Sequence, residues 1–271
     1  MARTVSDGGD AADRFRRAQR GLMNLLSRDM RRLRRLIRPA RLQQTIPEWI
    51  DAAGTVIDRY GAASATLAAD FYDAQREASG AAGRFTAPLA DPPPREQIEA
   101  SLRWATKDLW PRQEERATVA QLQPMPVRLE QAAHKAEGAA QKLALDQGRE
   151  TVREAVQRDP RAIGYARAAA LGACSFCKLM ASRGAVYKDF ESVGGAANER
   201  FEGDASVVKF HDNCHCQPIP IFRGDTFELS PQAAEWDRLY FEYAAGHPGE
   251  QLARFRRALA EHDENPLPGS R

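Results

Sequence analysis

From residue 14 to 38, apolar side chains return at every third or fourth position: Leu22, Leu26, Met30, Leu33 and Ile37, with Leu25 and Leu36 widening the stripe. That period predicts one amphipathic helix. At about 100° per residue, Arg28, Arg31, Arg32, Arg34, Arg35 and Arg38 fall on the opposite face. Pro39 is expected to end it. A second helix is expected to open at Thr45 with Pro47 in its first turn, and to run through Trp49, Ile50, Ala53, Val56, Ile57, Tyr60 and Leu67 to Phe71 and Tyr72. Gly61, inside it, argues against an unbroken rod. Residues 79–94 form a loop: Gly80 and Gly83 close the helix and three prolines follow. A helical stretch from Arg95 to about Leu109 is broken at Trp110-Pro111. Another, rich in alanine, runs from about Pro126 to Arg158 with Val127, Leu129, Leu143, Leu145 and Val152 as its larger apolar residues, and Asp159-Pro160 stops it.

After Pro160 the texture changes. "AIGYARAAALGA" predicts a short strand, "CSFCKLMASRG" a turn and short helix, and "VVKFHDNCHCQPIPIF" two extended segments around a tight turn. Two further helices are expected, over 230–245 with Ser230 as cap and Pro231 behind it, and over about 248–262. The fold class is therefore α+β: a mostly helical N-terminal part, a small Cys/His-clipped α+β module, and C-terminal helices. The expected division is a basic amphipathic arm (1–44), a helical domain (45–160), the Cys/His module (161–225), and C-terminal helices with a tail (226–271).

Composition changes this picture in three ways. No run of about eighteen apolar residues exists, which excludes a helical membrane span, and the N-terminus has no apolar signal core, so a cytosolic or self-assembled protein is expected. Charge is uneven: residues 1–41 hold twelve arginines and four aspartates, an excess of eight, so the rest must carry −6 to reach the total of +2. Only six of the 39 basic residues are lysines, a skew that follows from a GC-rich genome as readily as from phosphate recognition.

The chemistry concentrates in one window. All four cysteines lie there, Cys174 and Cys177 as a CxxC, Cys214 and Cys216 as a CxC after His211. A CxxC puts two sulfurs on one turn and a second pair completes a tetrahedral site. Residues 214 and 216 share a face of an extended segment, and His215 points away. Cys174, Cys177 and Cys214 are the expected ligands, with Cys216 or His211 as the fourth, and about one zinc per chain. Such a clip can stabilise a small module by on the order of 10 kcal/mol. Two plainer readings stand beside it: disulfides formed in an oxidising medium, or inert buried thiols. A thiol enzyme is a further alternative. No acidic residue stands behind His211 beyond Asp212, and neither a glycine-rich phosphate loop nor an HExxH is present, so catalysis is not expected.

These residues carry a resemblance. "CSFCKLMASRGAVY … FHDNCHCQPIPIF" resembles the C-terminal motif of MuF-like minor capsid (head-morphogenesis) proteins of tailed phages, in which CxxC, RG-x-x-Y and HxxCxC followed by an apolar strand occur in this order. The matching positions are Cys174, Cys177, Arg183, Gly184, Tyr187, His211, Cys214, Cys216 and the strand from Ile219 to Phe222. Upstream, "VIDRYGAASATLAADFYDAQRE" is similar to the helical part of such proteins in phages of actinobacterial hosts. The resemblance covers about 45–225. It implies a low-copy virion protein at the portal and capsid interior, present in the host cytoplasm during assembly. Its work would be head assembly, DNA packaging or genome delivery, and its partners the portal or major capsid protein. Protease or toxin motifs of fused relatives are absent from this sequence.

In that setting the basic face, with Arg28, Arg31, Arg32, Arg35 and Arg38 as its candidate contacts, has three readings: a solvated surface, non-specific contact with packaged duplex DNA, or docking on an acidic protein. Its apolar face needs a cover, either the chain's own helices or another subunit. Trp49, Trp104, Trp110 and Trp236 are expected to fill helix interfaces.

Overall fold

A computed structural model of the chain describes residues 3–110, 117–169, 172–187 and 214–263. Its order is β1 (Thr4–Ser6), α1 (Asp10–Leu33), α2 (Leu42–Ala78), α3 (Arg95–Thr106), α4 (Met125–Arg158), β2 (Ala162–Ala168), α5 (Ser175–Ser182), β3 (Ala185–Tyr187), β4 (Gln217–Phe222), β5 (Thr226–Glu228), α6 (Pro231–Tyr243) and α7 (Gln251–His262). The class is α+β and mostly helical. Among the described residues no helix is long and apolar enough to cross a membrane.

Helices α1 to α4 form a bundle. The apolar face of α1 is covered by the chain's own helices: Met23, Leu26 and Met30 are buried with Ile46, Trp49, Ile50 and Ile57 of α2 and with Ala136, Ala140 and Leu143 of α4. Its buried stripe, Phe15, Gln19, Met23, Leu26 and Met30, lies to one side of the expected one, so Leu25 and Leu36 are exposed rather than core. Helix α1 ends at Leu33, before Pro39, and short 3-10 turns carry the chain into α2. Thr45 closes that connection, donating to the Arg41 carbonyl (2.9 Å) and accepting from the Arg38 amide (3.1 Å).

Pro47 stands inside α2 rather than in its first turn. The carbonyl it leaves unmatched, on Gln43, sits on an exposed stretch where water can satisfy it. Gly61 does not interrupt the helix. It lets α2 approach α4, because a Cβ there would strike the side chain of Gln147. At the lower end of α2, Arg76 donates to buried Asp159 (2.8 Å) and to the carbonyls of Ala81, Ala82 and Gly83. One guanidinium thus fastens the loop to the end of α4.

Strands β3, β2 and β4 form an antiparallel sheet in that order. Pro218 and Pro220 are tolerated in β4 because it is an edge strand, where a missing N–H costs no ladder bond. Ile219 and Phe222 pack on Phe71, Tyr72, Val152 and Val156 of the bundle. Gly184, at φ +76°, makes the left-handed turn from α5 into β3. Strand β1 pairs in parallel with β5, which fastens the N-terminus beyond the sheet, and α5, α6 and α7 cover the remaining side. Ser230 caps α6, its Oγ accepting from the Ala233 amide, with Pro231 at the first helical position.

Candidate metal centre

The CxxC sits where a turn becomes α5. Cys174 is the residue before the helix, and its Sγ accepts a hydrogen bond from the Cys177 amide at 3.4 Å. This points the first-turn amides at sulfur and places Cys177 inward. The CxC occupies the extended approach to β4, where alternation puts residues 214 and 216 on one side. The sulfurs of Cys177 and Cys214 are 3.3 Å apart, and those of Cys177, Cys214 and Cys216 all lie within 4.8 Å of one another. Two segments 37 residues apart therefore meet at their thiols. Cys174, half-buried, stands beside this trio through its bond to Cys177. His211 lies outside the described residues. His215 does not join the group; its neighbours include Arg149 and Arg20, burial is the main cause holding its pKa down, and its Nδ1 has no hydrogen-bond partner among the described residues.

Sulfurs held about 2.3 Å from a tetrahedral zinc are roughly 3.8 Å apart. The trio therefore needs only small adjustments to share an ion, and the donor set suits zinc. None of the four cysteines is in a disulfide. The surroundings are dry: Trp236, Leu239, Phe255 and Leu259 share one buried cluster with Cys177, Cys214 and Cys216. Hydrogen bonds from Cys177 first, then Cys216, with Arg149 adding its charge, hold Cys214 well below the ordinary thiol range. Cys174 first, then Cys214 and Cys216, push Cys177 up. Cys216, eased down by Cys177 but raised more by Cys214 and burial, reaches about 12. Without a cation one thiolate is favoured at the expense of the others, and cation binding would release the remaining protons.

Two buried arginines answer that negative charge. Arg149 of α4, 4% exposed, donates to the carbonyls of Cys216 (3.0 Å) and Cys214 and pairs with Asp146 (2.7 Å). Arg167 of β2 reaches Cys177 Sγ at 3.9 Å. Behind them, the fully buried pair Lys178–Asp263 fastens α5 to the residue just after α7, with Lys178 Nζ 5.2 Å from the centre of the Trp236 ring. Sequence reasoning passed over Arg149, Arg167 and Lys178. For Arg149 the signal was there: it stands on the apolar stripe Leu145, Val152, Val156 of α4, where an arginine without a task is costly.

The basic candidates are elsewhere. Arg28, Arg31, Arg32, Arg35 and Arg38 are all exposed. Arg28 and Arg32 flank Asp29 (3.6 and 3.5 Å), which also receives Arg59 (2.9 Å) and the Tyr60 hydroxyl (2.7 Å). Arg31 pairs with Glu137 (3.2 Å). Arg35 and Arg38 form no ion pair among the described residues. Trp49 and Trp236 are core, whereas Trp104 is 49% exposed, with Lys107 and Lys135 above its ring.

A family model described as VG15 protein matches residues 8–244, from the start of the first helix to the end of α6. No curated protein matches, and no solved structure matches.

Proposed function

Since the chain belongs to the VG15 protein family, a phage-associated family, we propose that it is a structural minor capsid protein of a tailed phage, carrying a MuF-like cysteine module. In this reading it sits at the portal or the major capsid protein, on the capsid interior, acts in head assembly, DNA packaging or genome delivery, and has no catalytic site.

The observation that carries the structural role is the burial of the sulfur group: Cys177, Cys214 and Cys216 are 1%, 3% and 2% exposed. Thiol exchange and acyl transfer need a sulfur that a substrate can reach, while a structural ion needs a closed site. About one zinc per chain is the proposed occupant, held by Cys177, Cys214 and Cys216 with Cys174 or His211 as the fourth ligand. It would supply a cross-link between the CxxC turn and the CxC strand. Arg149 and Arg167 orient the ligands and offset the thiolate charge. The clip would make this part of the chain a rigid module.

Mass spectrometry of purified, nuclease-treated phage particles tests the location: the chain should be present at a few copies per particle, and its absence would refute the virion role. Metal analysis of reduced, purified protein tests the clip, with about one zinc per chain expected and none refuting it.

A further inference from the structure

Helices α2 and α4 run side by side in one direction. Gly61 lies beside Ala144, Ser64 beside Gly148, and Tyr72 beside Ala155. Counting back along both puts Leu42 next to Met125, so the α1–α2 turn and the start of α4 share the end of the bundle away from the sheet. The basic residues divide there. Arg28, Arg31 and Arg32 are occupied by Asp29 and Glu137. Arg34, Arg35, Arg38 and Arg41, at the turn, are exposed and make no ion pair among the described residues. Apolar side chains stand in water at the same end: Leu36, within the turn, is 40% exposed, and Val119 and Leu122, just before α4, are 79% and 61% exposed.

We propose that this end of the bundle is a docking surface for a second protein that presents an acidic, apolar-bearing face. The proposal rests on the virion reading above and names the surface through which a portal or capsid subunit is held. Charge sets the complement: four unopposed guanidiniums attract carboxylates. The exposed leucines and valine at this end choose between classes of partner. A DNA backbone offers phosphates but no apolar surface to cover them, whereas a protein face covers both.

The test uses the full chain and three variants. One neutralises the turn (Arg34→Gln, Arg35→Gln, Arg38→Gln, Arg41→Gln), one neutralises the helix face (Arg28→Gln, Arg31→Gln, Arg32→Gln), and one removes apolar surface (Leu36→Ser, Leu122→Ser). All these side chains are exposed, and circular dichroism checks the fold of each variant. The probes are the purified portal assembly, the purified major capsid protein of the same phage, and duplex DNA. The wild-type chain should bind one of the two head proteins. The turn variant and the leucine variant should each weaken that binding roughly tenfold or more, and the helix-face variant no more than about twofold. Binding that survives the turn and leucine changes overturns the surface while leaving the virion role intact. Loss of DNA binding alone in the turn variant overturns the choice of a protein partner. A wild-type chain that binds neither head protein overturns the inference, and a chain missing from particles is the separate failure of the reading beneath it.

Discussion

Asp7 is a carboxylate with almost no solvent around it, accepting from the amide (2.7 Å) and the hydroxyl (2.9 Å) of Ser230. Burial dominates and raises its pKa above the ordinary 3.8, with the Ser230 bonds and Arg16 offsetting only part. The folded chain thus holds this proton more tightly than the unfolded one. Stability from that proton is present below the ordinary aspartate value and is lost as pH rises through the raised one. Asp7→Asn keeps an acceptor for Ser230 and cannot ionise. Denaturant unfolding followed from acid to neutral pH should show the variant gaining on wild type as pH rises, and a pH-independent difference would contradict the assignment. Ser230 as a helix cap was legible from Ser-Pro before an amphipathic stretch. Its bond to a residue 223 positions away was not, because nothing in a local window marks which carboxylate will be buried. Arg149 lies between these cases: its place on an apolar stripe could be read, its partners could not.

At the scale of elements, the α2–α4 contact is made of small residues. A Cβ on Gly148 would stand 2.5 Å from Ser64 Oγ and 2.9 Å from its carbonyl oxygen, whereas one on Gly21 would meet nothing within 4 Å. Alanine favours a helix over glycine by about 1 kcal/mol, so Gly21→Ala should stabilise by about 0.5–1 kcal/mol. Gly148→Ala must push backbone away from backbone and should destabilise by about 1–2 kcal/mol net. Gly61→Ala, opposed mainly by the end of the Gln147 side chain, should fall between them. Urea midpoints rank the three, and a Gly148→Ala protein more stable than wild type would show that the helices do not meet there. The same contact explains an error of sequence reading. A glycine inside a helical pattern looks like weakness when only the helix is considered, and becomes a requirement once a neighbour lies against it. The exposed Leu25 and Leu36 teach the converse, since a wheel fixes angles between residues but not the direction of the neighbours.

Across the whole molecule, three ties join remote segments: Arg149 to the CxC carbonyls, Lys178 to Asp263, and β1 to β5. If an ion occupies the sulfur group, its removal by a chelator under reducing conditions should lower the melting temperature by roughly 5–10 °C. Proteolysis should then start in α5 to α7 and leave the bundle helices intact. An unchanged melting curve with proven metal loss would make the thiols ordinary core.

The order of helices, the short strands after Pro160, the cap at Ser230 and the chemistry of the cysteine window were all set by local pattern. Period, proline, glycine and residue type act over a few positions and can be read there. What the tertiary structure alone decided is which surfaces meet. It chose Met23 and Gln19 over Leu25 as the seam of α1, brought Cys177 to Cys214 and Cys216, placed Arg149 behind them, and left four arginines at one end of the bundle without an ion pair among the described residues. Those outcomes depend on close packing and on desolvation of charge, which arise only when segments far apart in the chain compete for the same space.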